Sequence, residues 1–569
     1  MRRVAAVASL LLVAGCGLPL GSGVQVPKQV SAGQQQRGDI QVLPPGPRAD
    51  NTPEQAVRGF FGAQSNPEDG HASARAFLTP ERRQRWKDVG QVSVFDRTLA
   101  IEPSVGEPNA YVVSAHRVGL IDADGSYTRT DDQVVLHVGL QRDPRRGWQL
   151  SQVPNGLLLS VADRDRSFRW LSAYFLAPSS DANASPHLVP DPVFVPVTAD
   201  PAQALVQRLL RGPSRLLRDS VETAVPDDTT LLDPVRTDAA GVATVNLSKQ
   251  VAEAPQEQQQ QLSAQLVWTL RGVQSAFSRL RLRSAGRDLQ VTGDALQDRN
   301  EWPSYDPDGA AARTQASYIS GRRLRSLDGS QRSSAGSAQQ PVDVAAAAPR
   351  GGTMALLTHE GPQWVLRTGP ESGPYVVRRR AAALLSPSWG SGEVGVWLVD
   401  GRRLVLVPLT GPAVAVPIDG IGAYGRVSGV RVSRDGVRVA LIAGRGTGRH
   451  LVVGRVVSKA GRLRVVALQS LAPGVGDVQD VSWDSSTSLV VLGRLGGLPL
   501  LPVRVAVDGS AVAPLVGVGL ENSELRSLTG APGRPLVVAA VGDDGSWLFR
   551  DTGRVYVRET RGYAPFYPG

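Results

Sequence analysis

The hydrophobic positions of this chain change period several times, and each change marks a boundary. Val4 to Ala14 form an apolar run, interrupted only by Ser9, behind Arg2 and Arg3. Residues 17 to about 50, rich in Gly, Gln, Pro and Val, sustain no period and read as a flexible tether. Helical spacing begins at Asn51: Ala56, Val57, Phe60 and Phe61 share one face, with Thr52 as cap and Pro53 in the first turn. A second start, Thr79-Pro80-Glu81, leads to Trp86. The pattern then switches to strands at Val92 to Phe95, Ala110 to Leu120, Tyr127 to Leu140 and Trp148 to Val153, with Asp124-Gly125 as a hairpin turn. Helices followed by an antiparallel sheet give an α+β order for residues 51–178.

A second α+β segment covers 190–297. Val193 to Val197 reads as a strand, and Asp200 caps a helix striped by Leu205, Val206, Leu209 and Leu210 and stopped by Gly212-Pro213. Ala243, Val245 and Leu247 alternate along the next strand. A long helix carries Leu262, Leu266, Leu270 and Val273 on one face. A hairpin is predicted last, pairing Leu280 and Leu282 with Leu289 and Val291 across Ser284-Ala285-Gly286. The first segment resembles the nuclear-transport-factor-2-like (NTF2-like) domains. The second is similar to the GerMN domain of spore germination proteins, on Phe194-Val-Pro-Val197, the Leu-Leu-Arg-Gly-Pro stop and Val245-Asn246-Leu247-Ser248.

Beyond a linker at 298–311, residues 312–569 are strands and turns that repeat. Ser386-Pro-Ser-Trp389, Ser433-Arg-Asp-Gly436 and Ser482-Trp-Asp-Ser485 start 47 and 49 residues apart, each before an apolar run. A less exact copy follows at Leu528, and Asp400-Gly401, Asp508-Gly509 and Asp544-Gly545 mark hairpin turns within the repeats. This period with about four strands per unit predicts β-propeller blades, about five of them visible as repeats, with the blade number open. The fold class is therefore multidomain: two α+β domains (NTF2-like, then GerMN) followed by an all-β propeller.

Chemistry enters first at the N-terminus. A basic start, an apolar run too short to span a bilayer and small residues ahead of a cysteine describe an export signal over residues 1–15. Val13-Ala14-Gly15-Cys16 resembles the lipobox of bacterial lipoproteins, which implies cleavage before Cys16 and acylation of that residue. The lipidated tether is then 16–50. Cys16 is the only cysteine, so the chain has no intramolecular disulfide and no cysteine-based zinc site. The formal charge of +10 falls to +8 without the signal, and with only four lysines it is carried almost wholly by arginine. A basic exported surface attracts anionic lipid heads or acidic wall polymers; arginine bias from a GC-rich genome is the blander account. No nucleic-acid-binding module is visible.

The chain carries no His-Glu-x-x-His, Gly-x-Ser-x-Gly or Gly-Lys-Ser/Thr phosphate-loop motif, and its six histidines (His71, His116, His137, His187, His359, His450) are scattered. Asp122, Asp124 and Asp131 imitate part of a calcium loop, but Leu120 stands where the first ligand belongs and strands flank it, so a hairpin turn is the expectation. Arg279, Arg281 and Arg283 share one strand face, read as solvated rather than as an anion strip. Trp364, Trp389, Trp397, Trp483 and Trp547 are read as blade packing rather than the lining of a funnel. No catalytic, cofactor or metal site is expected. Dispersed carboxylates for sugar hydrolysis leave no spacing signature, which keeps a wall hydrolase or transferase as a further reading.

The full order, from lipobox through tether, α+β domain, GerMN domain and the Trp302-Pro-Ser-Tyr-Asp-Pro307 junction to the propeller, resembles the LpqB-type lipoproteins of actinobacteria. That resemblance implies a non-enzymatic envelope lipoprotein, lipid-anchored on the extracytoplasmic face of the cell membrane. It further implies an accessory role in MtrA–MtrB two-component signalling, through the extracytoplasmic domain of the sensor histidine kinase, in envelope homeostasis and cell division. A cell-wall polymer is the alternative partner.

Overall fold

The computed structural model describes residues 46–569 apart from 89, 179–186, 274–276, 310–314, 328–340, 392–393, 460 and 522. Cys16, the expected export signal and most of the expected tether lie outside the described residues. From Pro44 onward the chain forms one compact unit.

Helix Pro53–Ala63 starts where Thr52 and Gln55 close a capping box, each side chain accepting from the other's backbone amide. Its face of Val57, Phe60 and Phe61 packs with Phe77 and Trp86. These cover a sheet with strands in the order Gly147–Gln152, Tyr127–Asp143, Ala110–Ile121, Val92–Phe95 and Leu157–Ser160. The short last strand runs parallel to Val92–Phe95.

A two-stranded antiparallel ribbon, Phe168–Leu176 with Leu188–Pro196, joins the first core to the second. Phe194 lies in the first core, while Phe175 and Leu188 lie in the second. The sequence boundary at 178 thus falls between two strands that pair with each other. In the second core, helices Pro201–Leu210 and Gln256–Arg271 pack on a sheet whose central strand Val242–Leu247 runs parallel to Arg279–Ser284.

The predicted terminal hairpin is present only at its turn end. Arg283 and Ser284 pair with Asp288 and Arg287, and the Leu289 amide donates to the Leu282 carbonyl at 3.0 Å, while Leu280 faces Gln297 in place of Val291. Val291 leaves the ladder yet is buried in the core, so the burial that the pattern encoded there is met without strand pairing.

In the C-terminal part, five four-stranded antiparallel sheets follow one another from Val344 to Arg561. A sixth sheet joins the C-terminal strand Tyr563–Phe566 to Ser317–Ser320, and that strand to Arg323–Ser326. The inner strands of neighbouring sheets touch around a closed ring, so the described residues form six blades. The sixth blade escapes a repeat search because it is assembled from the two ends of the domain.

Candidate functional site

The described residues gather their buried charge at the seam where the propeller meets the two α+β domains. The strand Leu188–Pro196 is apolar except for Asp191, which is 1% exposed. Asp191 accepts from Arg208 at 3.0 Å, from the Ser214 hydroxyl at 2.7 Å and from the Ser214 amide at 2.6 Å. Burial pushes its carboxyl up, opposed by the Arg208 guanidinium and the two Ser214 donors.

From the propeller, buried Arg438 donates to the carbonyl of Pro190 on the same strand and sits 3.7 Å from Asp435. Burial draws its guanidinium down, while Asp435 and Asp191 hold it up. Val189, Leu217 and Val437 close an apolar patch beside these charges.

The first domain reaches the fourth blade, Val475–Pro514, through two donors. Trp170 donates its indole N–H to Asp508 at 2.8 Å, and Arg164 donates to the Ser510 carbonyl at 3.0 Å. The junction segment adds a third tie, in which the Ser486 amide donates to Asp308 at 2.6 Å. Arg455 reaches the Arg218 carbonyl, and the Phe194 amide donates to the Gly125 carbonyl at 2.7 Å. Each tie satisfies polar groups that the seam removes from water, where an unmet partner is costly. The arrangement holds three domains in register.

Asp191, Arg208 and Arg438 belong to none of the sequence motifs described above. Asp191 carries a legible signal, a lone charge between two prolines in an apolar strand, where burial without a partner is disallowed. Asp508 lies in a predicted hairpin turn, and it is a turn, but its carboxylate accepts from Trp170 of the first domain; Asp435 lies in the turn of a serine repeat, beside Arg438.

The other singled-out residues find ordinary surroundings. Asp124 accepts from the Ser126 amide and hydroxyl, and Gly125 takes φ +83°, so this stretch is a hairpin turn. Arg279 and Arg281 are solvent-exposed, and Arg283 pairs with Asp288 at 2.9 Å. Trp389, Trp397 and Trp483 are buried between blades, and Trp547 lies under Arg558 at 3.5 Å. His116 bridges Asp96 and Asp131, and His71 packs against Trp86. Among the described residues no group of three or more His, Cys, Asp or Glu side chains is placed to hold a metal ion. No described helix is long and apolar enough to cross a membrane.

Family comparisons agree with this domain order. Residues 46–165 match the family described as Lipoprotein LpqB, N-terminal domain. Residues 172–290 match the Germane family, described as Sporulation and spore germination, and residues 320–568 match the Lipoprotein LpqB beta-propeller domain. Lipoprotein LpqB of Streptomyces coelicolor is 28% identical, with 99% of this chain and 97% of that protein covered. Lipoprotein LpqB of Thermobifida fusca is 27% identical, with 100% and 99% covered. Among solved structures, TolB from Acinetobacter baumannii aligns at TM-score 0.31 and 12% identity, covering 45% of this chain and 67% of that one. Three family matches in the chain's own order, with relatives aligned from end to end, place this chain in the LpqB lipoprotein family.

Proposed function

We propose that this chain is a non-enzymatic envelope lipoprotein, anchored through a lipid on Cys16 at the extracytoplasmic face of the cell membrane. In this reading it is an accessory partner of a two-component sensor kinase of the MtrA–MtrB type. The first domain is read as NTF2-like and the second as GerMN, both serving as protein-contact modules. The observation that carries the proposal is the seam, because Asp191, Arg438, Trp170 and Asp508 tie three domains into one body. A body held in register presents a fixed surface, which suits selection between two conformations of a partner more than turnover of a substrate. Such a contact shifts the kinase only if its affinity differs between the kinase's two signalling states. Confinement to the membrane face raises the effective concentration of a membrane partner, so a weak contact suffices.

The test is twofold. The chain from Pro44 onward is mixed with the extracytoplasmic domain of the kinase and should co-elute with it. Loss of the chain from cells should change phosphorylation of the cognate regulator. Unchanged phosphorylation together with sedimentation on purified cell wall would replace this reading by wall-polymer binding.

A further inference from the structure

The propeller crosses from blade to blade in the same way at two places, with different contents beneath the crossing. Leaving the second blade, the chain runs over to the outer strand of the third, with Ile418 bridged in parallel to Val465. Leaving the fourth blade, it runs over to the fifth, with Val518 bridged to Val555. Beneath the second crossing the cleft is occupied. Tyr556 is buried there among Leu515 and Leu520, its ring lies against Gly517, and its hydroxyl donates to the Leu515 carbonyl at 3.2 Å.

Beneath the first crossing the buried residue is the smaller Val465, and a groove of about 690 Å³ is open. That volume lies within the roughly 300–1,000 Å³ of compact ligand pockets. Leu404, Val416, Ile421 and Val427 make its floor. Four arginines, Arg402, Arg403, Arg426 and Arg445, stand exposed around it. Among the described residues none of the four is in an ion pair; Arg426 donates to the Gly401 carbonyl at 3.0 Å. The neighbouring carboxylates are taken, Asp400 by Arg379 and Asp419 by Arg464.

An apolar floor under an uncompensated arginine rim has a complement of definite chemistry. We infer that this groove binds a phosphate-bearing lipid, with its phosphate on the arginines and the first part of its chain on the floor. The guanidinium fork matches phosphate oxygens bidentately and is weakly hydrated, so it gives up water readily at such a site. The chain segment replaces, in the open cleft, the apolar filling that Tyr556 supplies in the other. This inference stands apart from the kinase reading, since it rests only on the groove.

The test is calorimetric titration of the chain from Pro44 onward, a compact unit in itself, with dodecyl phosphate below its micelle concentration. Inorganic phosphate and dodecyl maltoside are titrated in parallel. The expected result is saturable binding of dodecyl phosphate, weakened about tenfold or more by the combined Arg403→Ala, Arg426→Ala and Arg445→Ala substitutions. These side chains are exposed, so the thermal midpoint should not move. Ile421→Gln on the floor should also weaken dodecyl phosphate. No binding, or undiminished binding by the triple variant, overturns the proposal. Inorganic phosphate binding as tightly would leave a plain anion site, and dodecyl maltoside binding as tightly a plain apolar one; either result overturns it too.

Discussion

At the scale of single residues, the costliest groups in this molecule are the charges placed out of water. Asp191 is satisfied by Arg208 and Ser214, and its removal leaves the buried Arg208 with only the more distant Asp124, at 3.8 Å, for a carboxylate. Asp191→Ala should therefore cost about 3–5 kcal/mol, measured as a shift in denaturant midpoint. Pairing it with Arg208→Met should recover part of that loss, because the orphaned charge goes with it. His116 behaves differently because it lies near the surface. It is held by Asp96 at 2.8 Å and Asp131 at 2.7 Å, and both hydrogen bonds raise its pKa. A raised pKa means that the stabilising contribution is complete below the ordinary histidine value near 6.5 and fades as pH rises through the folded value. His116→Gln should then lower the denaturation midpoint at about pH 5.5 and change it little at about pH 9. Equal effects at both would show that the carboxylates do not act through the imidazolium.

At the scale of elements, the serine-tryptophan pairs explain why the propeller repeats at all. The Ser388 hydroxyl accepts from Val432 of the following blade at 3.0 Å, and Trp389 donates to Ala346 of the preceding blade at 3.1 Å. Ser482 and Trp483 do the same, Ser482 accepting from Gly530 at 3.1 Å and Trp483 donating to Arg431 at 3.1 Å. Each pair ties its own blade to both neighbours. Trp389→Ala removes a buried ring and should cost about 3–5 kcal/mol. Trp389→Phe keeps most of the ring and should cost about 1 kcal/mol for the lost hydrogen bond plus a small volume defect. Ring closure rests on one short element. The Tyr567 amide donates to Thr529 on one side, the Gly569 amide to Ala347 on the other, and the strand before them pairs with Ser317–Ser320. Deleting Tyr563 to Gly569 should leave an open edge and abolish a single cooperative β-rich transition, read by circular dichroism on heating.

At the scale of the whole molecule, the seam predicts cooperativity across domains. Calorimetry on the chain from Pro44 onward should show fewer transitions than domains, because unfolding the α+β domains exposes Arg438 and Asp508 without their cross-domain neighbours Pro190 and Trp170. The isolated propeller should still unfold as a β-rich unit, but at a lower temperature. Three separate transitions at the midpoints of the isolated parts would show the seam to be energetically silent. Anchoring belongs to this scale as well. Cys16→Ala removes the thiol that a lipid would join, so the protein should accumulate as precursor or appear in the soluble fraction.

The sequence alone was enough for what depends on neighbours along the chain. Thr52 with Gln55 and Thr79 with Pro80 announce helix starts because caps act within one turn. The alternation over Val92–Phe95 and Tyr127–Asp143 announces strands because side chains alternate faces. The recurring serine motifs announce blades because each blade is one local unit. What only the tertiary structure decided depends on residues far apart in the chain. The sixth blade joins residue 317 to residue 566, and no local pattern encodes a pairing across the whole domain. The ribbon between the two α+β cores, the partners of Asp191 and Arg438, and the contrast between Tyr556 and Val465 beneath similar crossings are likewise matters of assembly. Periodicity tells which face of a strand is buried, but what lies against that face is settled only when the domains pack.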